Sequence, residues 1–576
     1  MVKQLSWKVG GQQGEGIEST GEIFSIALNR LGYFLYGYRH FSSRIKGGHT
    51  NNKIRVSCEP SRSISDDLDI LVAFDQETID LNHHELHEKG IILADANFNP
   101  VNPSDSKARL FVVPITELAT KLGTSLMKNM VAIGATCALL KMDTSIFEEV
   151  IEEIFGRKGE QIIKMNLEAL QAGRKYMDQF ASELDDSFVL DKADGKKRLF
   201  LIGNDAVAMG ALAAGCRFMA AYPITPASEI MEYLIKKLPE VGGAVIQTED
   251  EIAAATMAIG ASYGGVRALT ASSGPGLSLK MEAIGLAGMT EQPLVIVNTS
   301  RGGPSTGMPT KQEQSDLMAM IYGTHGEIPK IVMAPSTVEE SFYDTAEAFN
   351  LAEEYQCPVI VLTDLQLALG KQTVEPLQLD KVEIRRGKLV TDELPESKQY
   401  FKRYEVTEDG VSPRVIPGTK YGIHHVTGVE HDEMGKPSES AKNRIAQMDK
   451  RFRKIENIKF DRPLNINAPY EEADVLLIGF NSTIGPIEDA QARLIADGVK
   501  ANHIQVRLIH PFPTEQLLPY VQKAKKVIVV ENNATGQLAN IIKMNVGFAN
   551  KMKNLLKYDG NPFLPNEVYT KAKELL

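Results

Sequence analysis

No part of this chain comes near the roughly 18–20 consecutive apolar residues that a membrane span needs. A basic excess is missing too: 63 Lys and Arg stand against 74 Asp and Glu, for a formal net charge of −11. That balance argues against a nucleic-acid or anionic-membrane surface. It leaves room for small anions, which respond to local charge. Cysteine is scarce and scattered. Cys58, Cys137, Cys216 and Cys357 form no C-x-x-C pair, so no metal site and no iron–sulfur cluster is expected within the chain. Buried, reduced thiols are expected instead. The residues from Met1 to Val9 enter a strand pattern directly, without signal-peptide architecture, and a cytoplasmic location is expected.

What is present is an ordinary globular composition, 43% apolar and 24% charged, over 576 residues. That length exceeds a single core. Strand-like runs alternate with helical patterns, which predicts an α/β fold, with a parallel sheet in its central domain. Three α/β domains are expected: 1–185, then 198–371 after a charged linker at 186–197, and 466–576. The second domain is expected to begin on a strand at Leu199–Gly203 and to continue through Gly243–Gln247, Arg267–Thr270, Leu294–Asn298, Lys330–Met333 and Val359–Thr363. Residues 372–465 are charged and turn-rich, and are expected to form a long irregular insertion.

Several motifs invite a chemical reading. In the first domain, Gly10-Gly11-Gln12-Gln13-Gly14-Glu15-Gly16 follows a strand and precedes a helix, the setting in which backbone N–H groups approach a phosphate. Ser19 stands where a dinucleotide fingerprint has its third glycine, so a plain strand-to-helix turn competes with that reading. Arg44, Lys46, Gly47 and Gly48, just before His49, suit either an anion-binding loop or a solvated hairpin. His83 and His87 have the four-residue spacing of metal ligands on a helix, but their charged surroundings favour a solvated face.

The densest cluster runs from Tyr222 to Arg301. Thr225-Pro226 reads as a helix N-cap and first helical residue, an arrangement whose hydroxyl can also meet a ligand oxygen. Glu251 heads the small, apolar run Ile252–Ala261. A carboxyl in that position is either an ordinary first-turn acid or a desolvated group suited to proton exchange. Gly274-Pro275-Gly276 is a turn or a close approach to a ligand ring. Arg301, before the Gly302–Gly307 loop, is a surface arginine or a bidentate carboxylate binder.

Taken together, Tyr222-Pro223-Ile224-Thr225-Pro226, Glu249-Asp250-Glu251, Ser272-Ser273-Gly274-Pro275-Gly276, and Arg301 with Gly303-Pro304-Ser305-Thr306-Gly307 resemble the α subunits of 2-oxoacid:ferredoxin oxidoreductases. The closest type is the 2-oxoglutarate form with a γ domain fused at its N-terminus. The resemblance covers nearly the whole chain. It implies a γ domain, a thiamine pyrimidine-binding domain and a transketolase C-terminal-like domain. It also implies thiamine diphosphate chemistry in which Glu251 hydrogen-bonds the aminopyrimidine and promotes its imino tautomer. The activated C2 carbon then attacks the 2-oxo group and decarboxylation follows. Electrons leave singly to iron–sulfur clusters, and coenzyme A takes the acyl group. Tyr222, Pro223, Ile224, Ser273, Gly274, Pro275 and Gly276 would line the cofactor. Thr225, Arg301 and Thr306 would hold the keto acid, and Arg44, Lys46, Gly47 and Gly48 form a candidate loop for coenzyme A or another anion.

The family's metal–diphosphate motif is missing. Thiamine enzymes use Gly-Asp-Gly, whereas Glu408-Asp409-Gly410, Ala496-Asp497-Gly498 and Tyr558-Asp559-Gly560 each lack the leading glycine. The implication is half an active site, with a β subunit bringing Mg²⁺ and an iron–sulfur cluster and ferredoxin carrying electrons onward. Pyruvate and branched-chain 2-oxoacids are alternative substrates. An NAD- or flavin-dependent oxidoreductase using Gly10–Gly16 is the rival enzyme class, and an assembly scaffold is the non-catalytic one.

Overall fold

The computed structural model describes residues 2–41, 47–184, 186–456 and 458–576. They form two compact units. The first comprises Met1–Leu201, Gly370–Pro376 and Leu564–Asn566. Its eight-stranded sheet runs in the order Arg109–Val113, Leu86–Asp95, Leu68–Ala73, Gln4–Gln12, His49–Ser57, Phe34–His40, Gln372–Val374, Leu199–Leu201. Side chains alternate along the strand Gln4–Gln12. Leu5, Trp7 and Val9 enter the main core, where Trp7 stacks on Phe24 with ring centroids 4.5 Å apart. Lys8 lies on the opposite face, directly across from Lys53. Glu85 separates these two buried cations: it pairs with Lys8, and its Oε2 lies 2.9 Å from Lys53 Nζ. Burial pushes the Glu85 carboxyl up, but the two ammonium groups outweigh it and hold it at about 2.

The second unit contains two sheets. A seven-stranded sheet has the order Leu508–His510, Ile331–Met333, Pro358–Asp364, Leu294–Ser300, Ala268–Ser272, Phe218–Ala221, Ala244–Gln247, and only Leu508–His510 runs antiparallel to its neighbour. A five-stranded sheet has the order Leu464–Asn467, Ala501–Val506, Val475–Gly479, Lys526–Glu531, Met552–Leu556. The fold is thus mixed α/β: the sheets of the second unit are parallel-rich, as the alternating pattern there predicts, whereas four of the seven strand pairings in the eight-stranded sheet are antiparallel.

Two expectations are revised. The strand expected at Leu199–Gly203 stops at Leu201 and belongs to the first sheet, while Gly203–Ala213 is a helix. The reason lies far along the chain: Leu199–Leu201 pairs antiparallel with Gln372–Val374, which in turn meets Phe34–His40 through Gln372 and Tyr36. The insertion at 372–465 is not irregular throughout, because it carries the helix Ala441–Glu456. That helix places Lys450 and Lys454, both fully buried, on Glu291, with Lys450 Nζ at 2.7 Å from Glu291 Oε1. No local pattern marks these lysines as buried, because their partner, Glu291, lies 159 and 163 residues upstream in a different segment.

Candidate active site

In a parallel sheet, ligands meet the chain at the carboxyl ends of the strands. Four adjacent strands of the seven-stranded sheet, Leu294–Ser300, Ala268–Ser272, Phe218–Ala221 and Ala244–Gln247, end on the four motifs singled out in the sequence. Topology therefore brings Arg301, Ser273–Gly276, Tyr222–Pro226 and Glu249–Glu251 to one edge.

Glu251 opens the helix Glu251–Tyr263. Asp250 caps that helix, accepting from Ala253 N at 2.7 Å, and Thr248 Oγ1 donates to the Asp250 carbonyl at 2.8 Å. The cap turns Glu249 and Asp250 to solvent and sends Glu251 inward, where it is 6% exposed. Three neighbouring acids thus receive different roles, and only Glu251 enters the interior. Its side chain lies against Gly276, the third residue of the helix Gly274–Met289. A Cβ at Gly276 would stand 2.1 Å from Ser272 Oγ and 2.7 Å from Glu251 Oε1, so the bare glycine makes the slot that the carboxyl fills. The Ser272 hydroxyl is buried beside this slot without a hydrogen-bond partner, and Ser273 Oγ, Asn298 Oδ1 and Arg301 Nε, at the ends of neighbouring strands, are also buried and unpartnered. Unpartnered buried polar atoms at these strand ends mark a candidate ligand site.

Thr225 differs from its expectation. The helix begins at Ser228, with Ala227 at its cap position and no side-chain cap, so neither Thr225 nor Pro226 starts it. Thr225-Pro226 is a cis peptide, and Ala227 N donates to Ile224 O at 2.9 Å, closing a turn before the helix begins. Thr225 offers its carbonyl instead: Arg301 NH1 donates to it at 2.5 Å, while NH2 donates to Thr306 O at 3.3 Å. Arg301, Thr225 and Thr306 therefore converge, with the guanidinium clamping two loops. Arg301 is 7% exposed, and burial lowers its pKa against the opposing charge of Asp316. Tyr222 lies at the exposed rim at 40%.

Two residues of this site carry no signal in the sequence motifs. Asp316 accepts from Asn298 Nδ2 and Ser300 Oγ, both at 3.0 Å, and stands against Gly274. Burial raises its carboxyl pKa although both hydrogen bonds oppose the rise. Lys280, fully buried one turn beyond Gly276, donates from Nζ to Thr270 Oγ1 at 2.6 Å. A lysine within the buried stripe Leu277, Ala283, Ile284 and Ala287 is the sequence signal that could have revealed it.

In the first unit, Gln13 N donates to Gly48 O at 3.2 Å, which joins the two glycine loops. Arg44 and Lys46 lie outside the described residues. The Gly10–Gly16 loop is closed by its own acid: Glu15 Oε2 accepts from Gln12 N at 3.0 Å and Oε1 meets Lys128 Nζ at 2.6 Å. Glu18, in the following first turn, pairs with Arg39 at 3.1 Å, so both acids at this helix entrance are engaged within the protein. His83 and His87 share no helical face, since His87 lies on the strand Leu86–Asp95 and points to Asp69 at 2.8 Å. Among the described residues, no cluster of His, Cys, Asp and Glu could hold a metal ion, and no helix is long and apolar enough to cross a membrane.

A parallel sheet with a buried carboxyl and unpartnered hydroxyls at its strand ends has the form in which α/β enzymes hold a ligand. Residues 209–450 match the family model described as pyruvate flavodoxin/ferredoxin oxidoreductase, thiamine diphosphate-binding. Residues 6–176 match pyruvate ferredoxin/flavodoxin oxidoreductase, and residues 473–568 match pyruvate:ferredoxin oxidoreductase core domain II. The chain is 35% identical to a 2-oxoacid:ferredoxin oxidoreductase subunit alpha from a Sulfolobus species, over 98% of this chain and 96% of that one. It is 39% identical to the 2-oxoglutarate synthase subunit KorA of Methanothermobacter marburgensis, over 65% of this chain and 97% of that one. Among solved structures it matches 2-oxoglutarate:ferredoxin oxidoreductase from Magnetococcus marinus, with 2-oxoglutarate, coenzyme A and succinyl-CoA bound. That match has a TM-score of 0.93 and 35% identity and covers 100% of both chains. The chain belongs to the family of 2-oxoacid:ferredoxin oxidoreductase α subunits.

Proposed function

We propose that the chain is the α subunit of a coenzyme-A-dependent 2-oxoacid:ferredoxin oxidoreductase that converts 2-oxoglutarate to succinyl-CoA. The observation that carries this reading is Glu251, buried against Gly276 beside the partnerless hydroxyl of Ser272. These residues fit thiamine diphosphate. The nitrogen edge of its flat ring needs a carboxyl and hydroxyl partners, and the bare Gly276 gives the Glu251 carboxyl the slot from which to meet that edge. When bound, the cofactor supplies the carbon nucleophile and the electron sink for decarboxylation.

Glu251 holds and exchanges a proton at the carboxyl oxygen beside Gly276, where exclusion of water strengthens its electrostatic effect. Tyr222, Pro223, Ile224 and Ser273–Gly276 line the ring. Arg301, with Thr225 and Thr306, orients the keto-acid carboxylate. The full-length likeness to the Magnetococcus enzyme favours 2-oxoglutarate over pyruvate or a branched-chain acid.

A β subunit completes the site. Ile252, Met257 and Leu279 are 50%, 43% and 52% exposed on the two helices that bear Glu251 and Gly276. An apolar rim around a catalytic edge suits burial by a partner. That partner brings Mg²⁺ and an iron–sulfur cluster, and ferredoxin accepts the electrons. Arg44, Lys46, Gly47 and Gly48 remain the candidate loop for coenzyme A, and a cytoplasmic setting suits the free thiols.

The test is 2-oxoglutarate- and coenzyme-A-dependent reduction of a viologen dye, by the chain alone and then with its β partner. Activity only in the pair is expected, with pyruvate a poor substitute. Turnover by the chain alone would overturn the shared site. A pair that neither turns over nor binds thiamine diphosphate would overturn the whole reading.

A further inference from the structure

Lys280 is a buried charge that the chemistry above leaves without a task. It lies on the helix Gly274–Met289 four residues beyond Gly276, on the same face. Its Nζ donates to Thr270 Oγ1 at 2.6 Å and to Ala271 O at 3.3 Å. Both acceptors belong to the strand that ends at Ser272, whose partnerless hydroxyl faces Gly276. Glu251 reaches the same spot from the neighbouring helix. Among the described residues, no carboxylate oxygen lies within 4.0 Å of Lys280 Nζ, so the lysine is anchored by neutral groups only.

The other charges around this helix are accounted for. Asp316 stands at Gly274 with Asn298 and Ser300. Arg301 is turned onto two carbonyls. Asp364, at the end of Pro358–Asp364, is taken by Gln314 and Ser482. The strand Ala268–Ser272 has no ionisable residue. Burial lowers the Lys280 pKa to about 7, and Glu251 is the charge that opposes the fall.

We propose that Lys280 is a positioning residue for Glu251, the attraction of its buried ammonium holding that side chain in the Gly276 slot and turned toward the pyrimidine edge of the cofactor. This rests on the thiamine reading above. Anchoring by Thr270 and Ala271 fixes the ammonium one helical turn from the Gly276 slot, so its field acts on Glu251 without drawing the carboxylate into an ion pair. The charge is present below about pH 7 and lost above it. The cofactor seat therefore weakens as pH rises through that range, because the attraction that positions Glu251 is lost with the charge.

The experiment is calorimetric titration of thiamine diphosphate into the complex with the β subunit, at about pH 6 and about pH 9, for wild type, Lys280→Met and Lys280→Arg. Wild-type affinity is expected to fall on the order of tenfold between the two conditions. Lys280→Arg, permanently charged, is expected to bind tightly at both, and Lys280→Met weakly at both. Thr270→Val removes an acceptor for the ammonium and is expected to move the wild-type transition to lower pH. If Lys280→Met does not assemble, the arginine and valine variants decide the matter alone. An identical pH dependence in every variant would overturn the proposal while leaving the thiamine reading intact. A wild-type complex that binds no thiamine diphosphate at either pH would overturn both.

Discussion

Gly276→Ala puts one methyl group where the structure has no room for it. The added Cβ would lie 2.1 Å from Ser272 Oγ, 2.7 Å from Glu251 Oε1 and 2.9 Å from Glu251 Cγ. Ser272 is fully buried and cannot withdraw, so Glu251 must swing away. Overpacking of this kind costs about 1–3 kcal/mol. A helical glycine replaced by alanine returns at most about 1 kcal/mol, so the net loss of stability is about 0–2 kcal/mol. Gly285, on the same helix, faces open space, and Gly285→Ala should stabilise the isolated chain by about 0.5–1 kcal/mol. The two variants should therefore differ by about 1–3 kcal/mol in urea unfolding of the chain alone.

The catalytic effect of Gly276→Ala should be larger than its effect on stability. Displacing a catalytic group by about 1 Å costs about 100-fold in rate. Turnover of the pair should thus fall about 100-fold while the chain stays folded. If Gly276→Ala were as stable as Gly285→Ala and kept normal turnover, Glu251 would not occupy the slot that the structure assigns to it.

Other perturbations probe the neighbouring groups. Glu251→Gln keeps the shape and removes the exchangeable carboxyl proton, so dye reduction should fall about 100- to 10,000-fold with an unchanged melting curve. Near-normal turnover would remove Glu251 from the mechanism. Arg301→Lys keeps the charge but loses the fork that reaches Thr225 and Thr306. The KM for 2-oxoglutarate should rise about 10- to 100-fold through the loss of a charge-assisted hydrogen bond, and an unchanged KM would exclude a carboxylate-binding role. Glu291→Ala strands Lys450 and Lys454 in the interior and should cost about 3–5 kcal/mol in denaturant unfolding.

The same carboxylate gives a pH dependence. Burial pushes Glu291 up, but Lys454, Lys450 and Arg403 outweigh it and hold the carboxyl well below the usual range. Because the folded pKa is depressed, its stabilisation is complete above the unfolded value of about 4.3 and is lost as pH falls toward the folded value. Acid unfolding of Glu291→Ala should accordingly be less steep than that of wild type.

How far the site could be read from the sequence depended on how local each feature is. Glu251 stood out because an acid at the head of a small, apolar helix is a pattern within a dozen residues. The strand ends before Ser273 and Arg301 were visible for the same reason. Thr225 was misread because Thr-Pro is a common helix start, and the turn closed by Ala227 and Ile224 delays the helix to Ser228. The strands Phe218–Ala221 and Leu508–His510, of 4 and 3 residues, carry too few side chains for a period to show. Leu199–Leu201 was placed in the wrong sheet because its partner, Gln372–Val374, lies beyond an entire intervening domain.

The sequence by itself determined the alternation of strands and helices, the motifs at the strand ends and the family, since these are written in short windows of periodicity and turn chemistry. The tertiary structure alone decided that Glu251 is buried while Glu249 and Asp250 face water, and that Arg301 clamps Thr225 to Thr306. It also decided that Lys280 is buried one helical turn beyond the glycine that Glu251 packs against. Desolvation and charge pairing depend on which segments meet in space. In this protein the deciding contacts join residues tens to hundreds of positions apart, which no local pattern contains.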